Sequence, residues 1–319
     1  MTGHVLRLLR IALNVADLPL AEAYYRDALG FSIVAEEEVD PRWARLQGED
    51  VRGRATRLRL GGQEVELVEC DPPGTKYPAD STAADLWFQH VAIVTNDIEA
   101  AYQRLKRHGM TPISEVGPQR LPPSAGKVVA YKFRDPDGHP LELIQFPRGV
   151  GDPAWQGASG GPTLGIDHSA LSVSDAERSL AIYCRLGLDP RSRQVNSGPE
   201  QDRLDGLSNV VVDVIELAPA AERTPHVELL CYRTPRGRPC DPSRHARDIA
   251  DSRLIVQVEN LTDLIRSLAS LGSITSPVVE LVFGTRAALV RDPDGHAIVL
   301  IEYRGFIPLQ QVCSRAYYP

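Results

Sequence analysis

Cysteine is scarce and poorly spaced in this chain of 319 residues. The five cysteines (Cys70, Cys184, Cys231, Cys240 and Cys313) form no CxxC or CxH pair, and their number is odd. That argues against a disulfide framework and a structural zinc, and predicts a reducing, cytoplasmic setting. Aromatic residues make up 6% of the chain, and lysine occurs only at 76, 106, 127 and 132. No apolar run reaches the ~18 residues of a membrane span. Residues 1–10 lack the basic start, apolar stretch and small cleavage residues of a signal peptide. A basic surplus is also missing: net charge is −7 and the pI is about 5.7. This argues against a nucleic-acid binder driven by phosphate contacts. Neither a glycine-rich phosphate loop nor a Ser-His-Asp arrangement stands out. What is there is an ordinary globular composition, 43% hydrophobic and 24% charged, long enough to bury a core. The partner expected is a small molecule, with no nucleic acid and no membrane, for a monomer or homodimer.

Internal repetition sets the organisation. The turn Arg134-Asp135-Pro136-Asp137-Gly138-His139 returns as Arg291-Asp292-Pro293-Asp294-Gly295-His296. Pro presets a turn dihedral and Asp-Gly supplies a left-handed residue, so both are read as hairpin turns, with His139 and His296 structural. Apolar strands follow, 140–146 and 297–303. Further upstream, Gln89-His90-Val91-Ala92-Ile93-Val94 reads as a strand, Asn96-Asp97 as a helix cap and 98–108 as a helix stopped by Gly109. The same grammar gives strand 10–15, cap Asp17 and helix 20–29; strand 168–173, cap Asp175 and helix 176–186; and strand 253–258, cap Asn260 and helix 261–271. The starts Arg10, His90, His168 and Arg253 are 80, 78 and 85 residues apart. Three β-like segments follow each helix. The chain therefore reads as four βαβββ modules separated by linkers at 71–85, 147–164 and 234–246. The Gly-rich central linker divides it into 1–149 (modules one and two) and 150–319 (modules three and four). The fold class expected is α+β, with two cup-shaped mixed sheets and helices on the outside.

Equivalent positions carry the chemistry. Seven residues before each cap stands Arg10, His90, His168 or Arg253, and between two apolar neighbours in each last strand stands Glu66, Glu142, Glu228 or Val299. Strand side chains alternate between faces, so a Glu flanked by Val or Leu points away from the helix-covered face into the concave one. His90 is placed opposite Val91 and Ile93 in the same way. A lone strand Glu is ordinarily a solvated charge. Recurrence of one His and one Glu in each of modules two and three instead points to one divalent metal ion, Zn, Ni, Mn or Fe.

These modules, the run Tyr24-Tyr25-Arg26-Asp27-Ala28-Leu29-Gly30-Phe31 and the Asp-Pro-Asp-Gly-His turns resemble the vicinal oxygen chelate superfamily. That superfamily includes glyoxalase I, methylmalonyl-CoA epimerase, extradiol dioxygenases and bleomycin-resistance proteins. The resemblance spans nearly all of 5–304. It implies that modules pair into cups, each donating its first and last strand to one metal, with His90, Glu142, His168 and Glu228 as ligands. Arg10, Arg253 and Val299 depart from the pattern. If neighbouring modules pair, both sites are incomplete. If two pairs with three and one with four, one site is complete and the other empty. The second arrangement is preferred because it collects every loss in one cup.

A divalent ion with an open position grips two adjacent oxygens and stabilises the enediolate formed when a proton leaves the carbon next to a carbonyl. A carboxylate beside it, Glu142 or Glu228, shuttles that proton. The expected function is thus a metal-dependent isomerase, epimerase or lyase of glyoxalase type. The alternatives are an Fe(II) ring-cleaving dioxygenase, from a two-His one-Glu triad, and a non-enzymatic sequestering protein. Candidate substrate contacts are His226, on the face of Glu228; Tyr131, which lines the cup or lies under the helix; and Asn196 and Gln201, in a polar loop 191–209. A second loop, 114–127, has the same status. Arg10 and Arg253 hold an anion or are solvated, one paired to Glu66.

Overall fold

The computed structural model describes residues 3–157, 161–271 and 273–303; Cys313 lies outside them. Within these residues the fold is α+β, two open mixed sheets of nine strands each with six helices. One sheet joins module four to module one through the antiparallel pair Arg253–Glu259 and His4–Val15. The other joins module three to module two through Gly165–Ser172 and Gln89–Val94. Each sheet therefore takes one module from each half of the chain, as the crossed pairing anticipates.

Local chemistry explains the helices that back the sheets. Asp17, Asp97 and Asp175 cap Leu18–Asp27, Ile98–His108 and Ala176–Leu186, accepting from the backbone N–H groups of Leu20, Ala100 and both Glu177 and Arg178. Asn260 differs. It precedes Leu261–Ala269 in the left-handed region and makes no side-chain cap bond. The helix faces and the convex faces of both sheets form one continuous core, including Leu13, Tyr25, Ile93, Leu105, Tyr183, Leu229 and Leu264.

The two repeated turns do more than reverse the chain. Tyr25 donates to Asp135 (3.2 Å) and the Ala16 N–H to Asp137 (3.3 Å). In the other half, Tyr183 donates to Asp292 (3.3 Å) and the Ser174 N–H to Asp294 (2.8 Å). Each turn thus clasps the preceding module. His139 bonds Asp135 and His296 bonds the Ser172 carbonyl, so both histidines are structural.

The segment 191–209 is not a polar loop. Strand Leu188–Ser197 runs through it, followed by helix Pro199–Asp205, with Pro at its start and left-handed Gly206 at its end. A matching short helix, Trp43–Gln47, occupies module one. The two helices cover opposite cups. Leu46 and Trp43 pack on the concave face of module four with Ile255, Val299 and Ile301, and Leu204 packs on that of module two with Ala92, Val94 and Ile144. Among the described residues no helix is long and apolar enough to cross a membrane.

Candidate functional site

Strand register assembles the inner cup. His168 lies across from Ala92, which lies beside Glu142, and His90 lies across from Ala170, which lies beside Glu228. The two alanines are fully buried, and their single methyls leave room for the longer side chains to converge over them. His90 Nε2 is 2.8 Å from Glu142 Oε2 and 3.3 Å from His168 Nε2. His168 Nε2 is 3.8 Å from Glu142 Oε2 and 3.5 Å from Glu228 Oε2. The four predicted ligands thus come together.

The donor set suits a divalent cation. Ligand bonds of about 2.1 Å place tetrahedral donors about 3.4 Å apart, within the range of separations just given. His168 supplies a second sign. Its Nδ1 bonds Asp167 Oδ2 at 3.0 Å; a proton on Nδ1 leaves Nε2 with a lone pair facing the cup, the arrangement common in metal-ligating histidines. Asp167 also accepts from Trp155 Nε1 at 2.7 Å. The strand register shifts between Ile166 and His168, and this bulge at Asp167 re-aims its side chain toward its neighbour. Strict alternation would put it on the other face, so sequence periodicity does not reveal it.

Burial and charge oppose each other here. Burial favours neutral Glu142, but its contacts with His168 and His90 and the charges of His90 and Lys132 outweigh it, holding the carboxyl well below its ordinary range. Glu228 falls to about 2, burial again opposing and the charge of His168 and its contact with His226 prevailing. Burial lowers the His90 imidazole despite Glu142. His168 is raised well above its ordinary value, because Glu228, Asp167 and Glu142 outweigh burial.

A cavity of about 770 Å³ opens over these residues, and His226, Asn196 and Gln201 line it. Both ring nitrogens of His226, Asn196 Oδ1 and Gln201 Oε1 are buried without hydrogen-bond partners among the described residues. Tyr131 is a correction: it lies in the core, stacked on Phe133, packed edge-on against Tyr102 and donating to Met110 Sδ. Its neighbour Lys132 faces the cup instead, directly across from Glu142. One residue along a strand changes the face. The signal was Phe133, whose apolar ring shares a face with Tyr131 and leaves Lys132 on the opposite one.

The outer cup is different. Its cavity is larger, about 990 Å³. Arg10 pairs with Glu66 at 2.9 Å, as expected, but Arg253 is not solvated. It is buried, bonding Asn14 Oδ1 and the carbonyls of Ala246 and Asp251. Ile255 occupies the place of Ala170, and Val299 that of Glu228. Among the described residues, the side-chain groups suited to a metal, His90/Glu142/His168 and Asp167/His168/His226, both lie in the inner cup.

Comparison with known proteins agrees with this architecture. The chain is 23% identical to a lactoylglutathione lyase of Arabidopsis thaliana over 309 residues, 94% of this chain and 93% of that one. It is 27% identical to a lactoylglutathione lyase of Neisseria meningitidis serogroup A over 156 residues, 48% of this chain and 100% of the relative. The crystal structure of glyoxalase I from Zea mays superposes with a TM-score of 0.64 at 21% identity, covering 93% of this chain and 92% of that one. At that identity the likeness concerns the fold. Residues 7–143 and 165–300 match the model of one family, and the chain belongs to it: the Glyoxalase/Bleomycin resistance protein/Dioxygenase superfamily.

Proposed function

We propose that this protein is a metal-dependent lyase or isomerase of glyoxalase type, moving a proton on a small substrate with vicinal oxygens in the inner cup. The observation that carries this is the convergence of two imidazole nitrogens and two carboxylates from modules two and three. His90, Glu142, His168 and Glu228 would hold the ion. When bound, a divalent ion supplies a Lewis acid that grips adjacent oxygens and stabilises the negative charge left when a proton departs next to a carbonyl. Glu142 is the more enclosed carboxylate, its side chain 7% exposed against 20% for Glu228. Glu228 therefore faces the substrate and takes the proton from carbon, then returns it to the same carbon or to its neighbour. Ile144, Val214 and Leu230 wall the cavity and limit water around the exchanging proton.

A second reading has its own support. His90, Glu142 and His168 form the tighter group, a two-His one-carboxylate set of the kind used with Fe(II) and O2. Metal analysis of protein purified without chelator separates the two. Zn, Ni or Mn, with formation or consumption of lactoylglutathione as the first reaction to assay, supports the lyase; Fe with oxygen uptake supports the dioxygenase. About one ion per chain is expected, lost in both His90→Ala and His168→Ala. Metal fully retained by the His168 variant overturns the crossed site.

A further inference from the structure

Lys132 is a charged residue that the proposed chemistry leaves unused. It is 4% exposed, yet it lines the inner cavity and stands across the strand pair from Glu142. A buried ammonium is costly unless paired. Its pairing is with Asp205, at 2.7 Å, on the short helix Pro199–Asp205 of module three. The aspartate is well served: it also accepts from Gln201 Nε2 (2.8 Å) and from the Tyr232 hydroxyl (3.0 Å). The ammonium is not. Asp205 is its one hydrogen-bond partner among the described residues, and an ammonium carries three N–H donors.

The surroundings complement those donors. Asn196 Oδ1 and Gln201 Oε1 line the same cavity as buried acceptors with no hydrogen-bond partner among the described residues, which suits a hydroxyl donor. Arg191 and Arg223 also line it. Arg191 bonds the Pro219 carbonyl, and neither guanidinium has an ion-pair partner among the described residues. Asp152, Asp167 and Glu216 line the cavity as well, so the guest is selected by the unfilled ammonium donors of Lys132 rather than by a net positive field.

We propose that the substrate is a small 2-hydroxy or 2-oxo acid, and that Lys132, held by Asp205, is the residue that binds its carboxylate. This rests on the inner cup being the metal-dependent site. An ammonium donating to a carboxylate is among the stronger hydrogen bonds. A neutral 1,2-diol or aldehyde would leave it unanswered, and that sets the specificity.

The test uses full-length protein loaded with Ni²⁺, its metal content measured, titrated calorimetrically with tartronate (a hydroxyl flanked by carboxylates) and with acetohydroxamic acid, a chelator without a carboxylate. Lys132→Met is expected to weaken tartronate binding about ten-fold or more while acetohydroxamate binding changes less than about three-fold, and Lys132→Arg restores much of the tartronate affinity. Because Lys132→Met strands Asp205, the double variant Lys132→Met/Asp205→Asn serves if the single one does not fold. Equal tartronate affinity in wild type and the Met variants, both holding metal, overturns the proposal. If wild type holds no metal, the metal-site reading has failed separately. The same tartronate titration on metal-free protein then decides the role of Lys132, and insensitivity to Lys132→Met again refutes it.

Discussion

Asp167 offers the sharpest check on the inner cup. A carboxylate there serves two donors at once, His168 Nδ1 at 3.0 Å and Trp155 Nε1 at 2.7 Å. Asn has a single oxygen. If that oxygen keeps Trp155, an amide N–H faces His168 Nδ1, and the imidazole carries its proton on Nε2, where no lone pair is then left for a metal. If it keeps His168, the indole N–H faces an amide donor. Either way the partner that orients His168 is degraded, and changes of this kind cost about 10–100-fold in metal affinity, roughly 1.4–2.7 kcal/mol. Stability reports the same quantity. With free metal at about 100 times the wild-type Kd, binding adds roughly 2.7 kcal/mol to wild type and roughly 0.4–1.4 kcal/mol to Asp167→Asn. The assay is a chelator-competition titration, with thermal unfolding recorded in the presence and absence of metal. The metal-dependent gain in Tm should shrink in the variant, read as the difference between metal-loaded and metal-free protein, because losing one acceptor at Asp167 lowers the metal-free Tm as well. Metal affinity within about three-fold of wild type would refute the orienting role of Asp167.

Gly53→Ala should destabilise by more than about 1–3 kcal/mol in urea unfolding: Gly53 has φ +150° and an added Cβ would lie 1.8 Å from the Glu69 carbonyl oxygen. A variant as stable as wild type would show that this backbone relaxes freely. Asp85 accepts from the Thr82 and Arg238 backbone N–H groups and from the Arg238 guanidinium. Burial pushes its carboxyl up, but these bonds prevail and hold it below the ordinary 3.8. With the folded-state value depressed, the stabilisation is fully present above about pH 4 and is lost as pH falls through the folded-state value. Asp85→Asn should therefore be clearly less stable than wild type at pH 7, with the gap narrowing near pH 3. A gap that does not change with pH would count against the ion pair.

The features legible in sequence are those in which neighbours constrain one another. Glu142 lies between Leu141 and Leu143, so its face is unambiguous, and the helices 98–108 and 176–186 have an Asp at one end and a Gly at the other. The less legible ones depend on exceptions to alternation or on partners distant in the chain. Asp167 points toward His168 because of a bulge. Tyr131 has an apolar ring and a hydroxyl that fit either face, and its alternative, Lys132, meets an aspartate 73 residues away. Helix Pro199–Asp205 reads as a polar stretch because its buried residues include Gln201 and Asp205, side chains whose burial is compensated only once Lys132 and Tyr232 arrive.

The crossed pairing also bears on what the midpoint of the chain does. Residues 147–164 are the covalent bridge between the halves, yet two strand seams, Arg253–Glu259 on His4–Val15 and Gly165–Ser172 on Gln89–Val94, join the same halves without it. A chain severed at that bridge would still be one interlocked object. The proposed metal would sit on one of its seams, gripped by His90 and Glu142 from one piece and His168 and Glu228 from the other, and so would act as a rivet between them.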